Sequence, residues 1–148
     1  METIFGPVPS RRLGRSIGVN NVPPKHCTYA CVYCQLGKAL SMQTKRSIFY
    51  PPAELAAAAQ QRIDEIRKKG ETVDYVTIVP DGEPTLDAQL GKLINLLQKS
   101  SIPVAVISNG SLLGSPDVRK DLLKADWVSV KVDAVSDAVW HKIDRPRR

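Results

Sequence analysis

Cysteine is scarce in this 148-residue chain: it occurs three times, and Cys27, Cys31 and Cys34 all fall within eight residues. Three clustered thiols cannot all pair with one another, so metal or redox chemistry is a better reading than a disulfide framework. Long apolar runs are also lacking. None approaches the ~20 residues that a membrane-spanning helix needs, so no membrane partner is expected. The opening residues, METIFGPVPS, contain no basic start followed by an apolar core. No secretory signal is therefore expected, and the setting implied is cytoplasmic and reducing. Nor is charge gathered in one place. Lys and Arg number 21 against 15 Asp and Glu, a formal net charge of +6. Arg11, Arg12 and Arg15 sit near one end, and Arg145, Arg147 and Arg148 at the other. That balance admits a nucleic-acid partner, but without a fold-level RNA-binding motif the plain reading is a solvated basic surface.

What is present is ordinary for a soluble domain: 43% hydrophobic and 24% charged residues. This length is one domain's worth of chain, enough to bury roughly two-thirds of its unfolded surface. Strand and helix patterns alternate along it. Residues 15–22 read as a first strand, ended by Pro23-Pro24. Pro51-Pro52 opens a helix over 53–69, in which Leu55, Ala59, Ile63 and Ile66 share one face and Gly70 supplies the stop. Residues 73–79 form a β-branched strand, followed by a helix over 86–99 with Leu90, Leu93, Ile94 and Leu97 in a stripe. A short apolar strand over 103–107 precedes a helix over 116–124, for which Ser115 is the expected N-cap and Pro116 the first residue. A fourth strand spans 127–132. A fourth helix begins near Ser136 and stops at Arg145-Pro146.

This alternation predicts an α/β fold with parallel strands joined by right-handed crossovers. In such sheets the working site lies at the carboxyl ends of the strands. Each unusual loop here follows a strand: CTYACVYC after the first, DGEP after the second, SNG after the third and VDA after the fourth. All four are expected on one rim.

The cysteine spacing is C-x3-C-x2-C. Thiolates suit iron or zinc. Zinc wants a fourth protein ligand, yet His26 adjoins Cys27 and His141 lies on the expected last helix. Three thiolates can instead hold three corners of a 4Fe-4S cluster and leave the fourth iron open. The motif, with Tyr33 just before its last cysteine, resembles the signature of the radical S-adenosylmethionine enzymes. The stretch FGPVPSRRLGRSIGVN ahead of it is similar to the subgroup that contains wyosine-type tRNA-modifying enzymes.

The resemblance implies that Cys27, Cys31 and Cys34 bind a 4Fe-4S cluster whose open iron is chelated by the amino and carboxylate groups of S-adenosylmethionine. Reductive cleavage would then give a 5′-deoxyadenosyl radical that abstracts hydrogen from a substrate, with the protein supplying binding, orientation and exclusion of water. It also implies an electron donor such as flavodoxin or ferredoxin, and tRNA as one substrate class. Asp81-Gly82-Glu83-Pro84 stands where the family carries a Gly-Gly-Glu type motif, with Asp81 replacing the first glycine. By analogy Glu83 would accept from the methionine ammonium, and Gly82 would allow close backbone approach. Ser108 and Asn109 resemble a segment that contacts the ribose or carboxylate. Lys131 and Asp133, on one face of the fourth strand, would bond cofactor or substrate, or form a structural ion pair. The chain has no cysteine for a second all-cysteine cluster, which argues against pyruvate-dependent wyosine chemistry.

The family core is usually a partial TIM-like barrel of about six strand-helix units, of which about four are expected here. Residues 1–148 therefore read as the N-terminal part of the core domain. The fourth strand would be left as an uncovered edge, which favours self-association and low activity of the isolated chain. The alternative class is a non-catalytic iron-sulfur or zinc module, including one associated with RNA.

Overall fold

A computed structural model describes residues 2–147. Strands β1 (Ile4–Ser10) and β2 (Gly14–Val19) form a hairpin, and two short strands, β3 (His26–Cys27) and β4 (Ser41–Met42), pair with each other around the cysteine loop. Then come α1 (Pro52–Lys68), β5 (Tyr75–Ile78), α2 (Leu90–Leu97), β6 (Val104–Ser108), α3 (Pro116–Leu122), β7 (Trp127–Val130) and α4 (Asp137–Asp144). The main sheet has the order β1-β2-β5-β6-β7. β2, β5, β6 and β7 are parallel neighbours; β1 runs antiparallel to β2.

The register aligns Ile17 with Val76, Val76 with Val104 and Val106 with Val128. Alternation then turns Ile17, Val19, Val76, Ile78, Val104 and Val106 to one face of the sheet, where they meet the helices in a single core. Leu55, Ala59, Ile63 and Ile66 of α1 are all buried there, as are Leu90, Leu93, Ile94 and Leu97 of α2. The periodic stripes in the sequence are thus the core-facing stripes. Gly70 takes φ +74° after α1, and its N–H bonds Arg67 O at 2.9 Å, the expected helix stop.

Several boundaries differ from the sequence reading. β1 was not anticipated, because Gly6, Pro7 and Pro9 hide a strand pattern; as an edge strand it tolerates proline. Its Phe5 ring lies across Gly18, where a Cβ would come within 2.0 Å of the ring. The helix expected over 86–99 is divided. A 3-10 turn, Pro84–Leu86, comes first, and Asp87 then breaks the path by accepting from Gln89 N at 2.8 Å. Ser115 occupies the N-cap position of α3, but its hydroxyl makes no capping bond. β7 ends at Val130, so Lys131 and Asp133 lie in the following loop, although Lys131 N still bonds Ser108 O at 3.1 Å. β7 is an edge strand, with Val128 and Val130 exposed.

α4 departs from the layer pattern. Ser136 caps it by accepting from Val139 N at 3.5 Å, and Arg145 ends it with φ 46°. None of its residues belongs to the core shared by α1, α2 and α3.

Candidate functional site

The four loops meet at the carboxyl end of the parallel strands, and their contacts explain the residue types. Gly82 has no room for a side chain: a Cβ there would stand 2.2 Å from His26 O. The close approach allows Glu83 N to bond His26 O at 3.0 Å and Lys25 N to bond Asp81 O at 2.6 Å. The glycine therefore seats the DGEP loop against the base of the cysteine loop.

Glu83 is 1% exposed. Its Oε1 accepts from Thr85 N (3.1 Å), Thr85 Oγ1 (2.6 Å) and Ser108 Oγ (2.7 Å), and its Oε2 accepts from Asn109 N (2.8 Å). A buried carboxylate needs such donors to offset lost hydration. The sequence places Glu83 and Ser108 on the shared rim; both are buried there and tie the β5 loop to the β6 loop. Asn109 carries the link onward: its Nδ2 donates to Thr28 Oγ1 at 2.8 Å and reaches Cys27 Sγ at 3.6 Å. Pro84 starts the 3-10 turn, and its carbonyl accepts from Asn21 Nδ2 at 3.1 Å.

All three cysteines line one cavity of about 160 Å³, together with Lys25, Asp81 and Gly82. Cys27 and Cys31 are half-buried, and Cys34 is exposed. Burial pushes the Cys27 thiol up. Burial and then the bond to Asp144 push Cys31 up to about 12. His26 Nδ1 faces Pro24 O at 3.2 Å, and His141 Nδ1 faces Asp137 O at 2.9 Å. Among the described residues, no three His, Cys, Asp or Glu side chains close on the position of a single ion. Three soft thiols around a shared hollow fit a multi-iron cluster.

Tyr33, Lys131 and Asp133 come together beside Cys31. The Tyr33 hydroxyl donates to Asp133, and Lys131 Nζ lies 3.8 Å from the Tyr33 ring centroid. Lys131 and Asp133 are also an ion pair at 3.2 Å. Sequence reasoning missed the fourth member, Asp144, which is 2% exposed. Its Oδ1 accepts from Cys31 Sγ at 3.3 Å and lies 3.4 Å from the Tyr33 hydroxyl. Burial and then neighbouring Asp133 push its carboxyl up. A signal was available: an acid in the last turn of a helix opposes the macrodipole and needs a partner.

The sequence pattern of the Radical SAM superfamily matches residues 21–148, and the chain belongs to that superfamily. Its cofactors are a 4Fe-4S cluster and S-adenosylmethionine. A UPF0026 protein of Methanocaldococcus jannaschii is 46% identical over 148 residues, which is 100% of this chain and 46% of that protein. The chain thus spans about half the length of that relative. The structure of TYW1 with a lysine-pyruvate adduct bound aligns with a TM-score of 0.66 at 20% identity, over 90% of this chain and 47% of that one. Streptococcus suis SuiB bound to S-adenosylmethionine aligns with a TM-score of 0.55 at 18% identity, over 85% of this chain and 27% of SuiB. Both show the fold, part of a radical SAM TIM-type barrel. No helix among the described residues is long and apolar enough to cross a membrane.

Proposed function

We propose that Cys27, Cys31 and Cys34 ligate the 4Fe-4S cluster and that the protein containing this chain is a radical SAM enzyme. The observation that carries this reading is the meeting of all three cysteines at one cavity on the carboxyl rim of the parallel strands. When bound, the reduced cluster supplies the electron that cleaves S-adenosylmethionine to methionine and a 5′-deoxyadenosyl radical, the species that takes hydrogen from the substrate.

This chain's residues position that chemistry. Among the described residues Oε2 of Glu83 has a single donor, Asn109 N, which leaves it capacity to accept from the methionine ammonium. Gly82 and Pro84 fix the backbone that presents it. Ser108 acts by holding Glu83, and Asn109 offers its amide between that carboxylate and Cys27. Tyr33, Lys131 and Asp133, clustered with Asp144 beside Cys31, would bond cofactor or substrate.

The substrate is read as a macromolecule. SuiB has been captured with its precursor peptide SuiA. An RNA such as tRNA is one such class, compatible with the net charge of +6. The electron donor is a flavodoxin or ferredoxin, and the exposed β7 edge is a surface for self-association. A cytoplasmic setting follows from the same chemistry, since thiolates and a reducible cluster need reducing conditions.

The test is anaerobic reconstitution of the full protein with iron and sulfide, then dithionite and S-adenosylmethionine. The expected product is 5′-deoxyadenosine, with iron uptake lost in Cys31→Ala. A zinc-filled protein, or a cluster indifferent to S-adenosylmethionine, would instead support a non-catalytic metal module.

A further inference from the structure

α4 is a helix without a place in the core. Its one buried residue is Asp144, a carboxylate, and the core contains none of its side chains. What the end of α4 does touch is the cysteine loop. Ala30 N bonds Asp144 O at 3.0 Å and Val32 N bonds Ile143 O at 2.9 Å. These are the two amides on either side of Cys31. Arg147 N bonds Thr28 O at 3.0 Å, and Tyr29 bridges to Pro146 in antiparallel fashion.

Side chains repeat the pattern. The Asp144 carboxylate accepts from Cys31 Sγ and faces the Tyr33 hydroxyl. The Trp140 ring meets Tyr29 edge-on, 5.8 Å between centroids. The loop's own backbone bonds beyond Cys31 are local turns, Cys34 N to Cys31 O and Gly37 N to Cys34 O. Arg145 stands in the left-handed region, φ 46°. A non-glycine residue stays there only where surrounding contacts over-determine it, and here they are contacts to the cysteine loop.

We propose that the segment from Trp140 to Arg147 is a positioning strap that holds the peptide around Cys31 in the shape that receives the cluster, with Asp144 as its principal positioning residue. The proposal rests on the assignment of Cys27, Cys31 and Cys34 as cluster ligands. Three ligands on an irregular loop would otherwise lose their freedom at the moment of binding. A strap fixed beforehand removes much of that entropic cost. It also explains why a segment so far along the sequence returns to cover residues 28–33.

The experiment compares the cluster-free full protein with its Asp144→Ala and Trp140→Ala variants. Two quantities are read: hydrogen exchange at the Ala30 and Val32 amides, and alkylation of Cys31 relative to exposed Cys34 in the same molecule. Both should rise about tenfold in each variant, while exchange in β5 and β6 stays unchanged. Asp144→Asn keeps an acceptor oxygen and should leave exchange at the Ala30 and Val32 amides near wild type. Cluster uptake at limiting iron and sulfide should fall in the alanine variants and recover in Asp144→Asn. The proposal is overturned if loop exchange and Cys31 alkylation stay at wild-type values in both alanine variants. It is equally overturned if β5 and β6 lose protection to the same degree, since the segment would then be general scaffold. Failure of the wild-type protein to take up iron would sink the ligand assignment alone, because the exchange comparison is made without metal.

Discussion

Ile17, Val76, Ile78, Val104 and Val106 pack against three helices through apolar atoms alone. Glu83 after β5, Ser108 at the end of β6 and Thr28 just after β3 are just as buried, yet they are held by hydrogen bonds to one another and to Asn109. Asp144 is buried on the same rim against Cys31 and Tyr33. The first region is governed by area and shape, which are non-directional. The second is governed by donor and acceptor geometry, where each buried polar group depends on its partners. The sheet therefore serves as a rigid base, and the rim above it as a network whose members fail together.

The largest effect is expected at the base. Ile78→Ala, at a fully buried position between β2 and β6, should cost about 2–5 kcal/mol in urea unfolding. A loss below about 1 kcal/mol would mean that the core collapses around the gap, which would break the contrast with the rim. Next is Gly82→Ala. Its Cβ would meet the His26 backbone carbonyl, which cannot rotate away. About 1–3 kcal/mol of destabilisation is expected, together with loss of iron uptake, because the cysteine loop must shift. Normal iron uptake would show that the two loops move independently.

Glu83→Gln tests the network itself. The carboxamide would turn an NH2 group toward Thr85, Ser108 or Asn109 donors that now point at a carboxylate. The cost should be about 1–3 kcal/mol, and isothermal titration should show weakened S-adenosylmethionine binding with the cluster retained. Unchanged stability would mean that the donors reorient freely and that the pin between the β5 and β6 loops is unimportant.

These differences also explain what was legible in the sequence. The stripes in α1 and α2, the parallel order of β2, β5, β6 and β7, and the shared rim follow from hydrophobic period and topology. The cysteine motif was recognised by spacing. Gly82 was anticipated as a close-approach residue, though its neighbour is His26 O rather than a ligand. The inward turn of Glu83 and Ser108 was hidden, because hydrogen-bond partners 25 residues apart leave no periodic trace. β1 was hidden by its prolines. Asp144 was hidden because its partner, Cys31, lies 113 residues away and belongs to a motif that looks complete by itself.

A pH series sharpens the rim side. With the Cys31 thiol raised to about 12, the cluster-free protein holds it neutral at physiological pH. Thiolate ligation must release that proton, so iron-sulfur affinity should rise with pH, by up to about tenfold per unit for each proton released. Stability of the cluster-free protein has the opposite sign. The preference for the neutral thiol is fully present below the ordinary thiol value of 9.0 and is lost as pH rises toward about 12. Cys31→Ser should flatten the Cys31 part of this alkaline loss in urea midpoints; an unchanged profile would assign it elsewhere.

The smallest effect on folding belongs to the exposed side of the same base. Leu123 is 84% exposed, and it lines an open apolar hollow with Leu113, Leu122 and Val128 beside the β7 edge. Leu123→Ser removes little buried area and should change stability by no more than about 0.5 kcal/mol. Its effect should appear in assembly. Unpaired strand edges next to apolar surface favour association, so sedimentation of the isolated chain should shift toward monomer in the variant. If wild type is already monomeric at the same concentration, the edge is blunted by its own twist, and β7 behaves as a finished boundary. If the variant associates as strongly as wild type, the contact runs through the backbone of β7 and not through the helix-side patch. Lysine at Val130, which is 41% exposed on the strand itself, would then be the substitution that separates the chains.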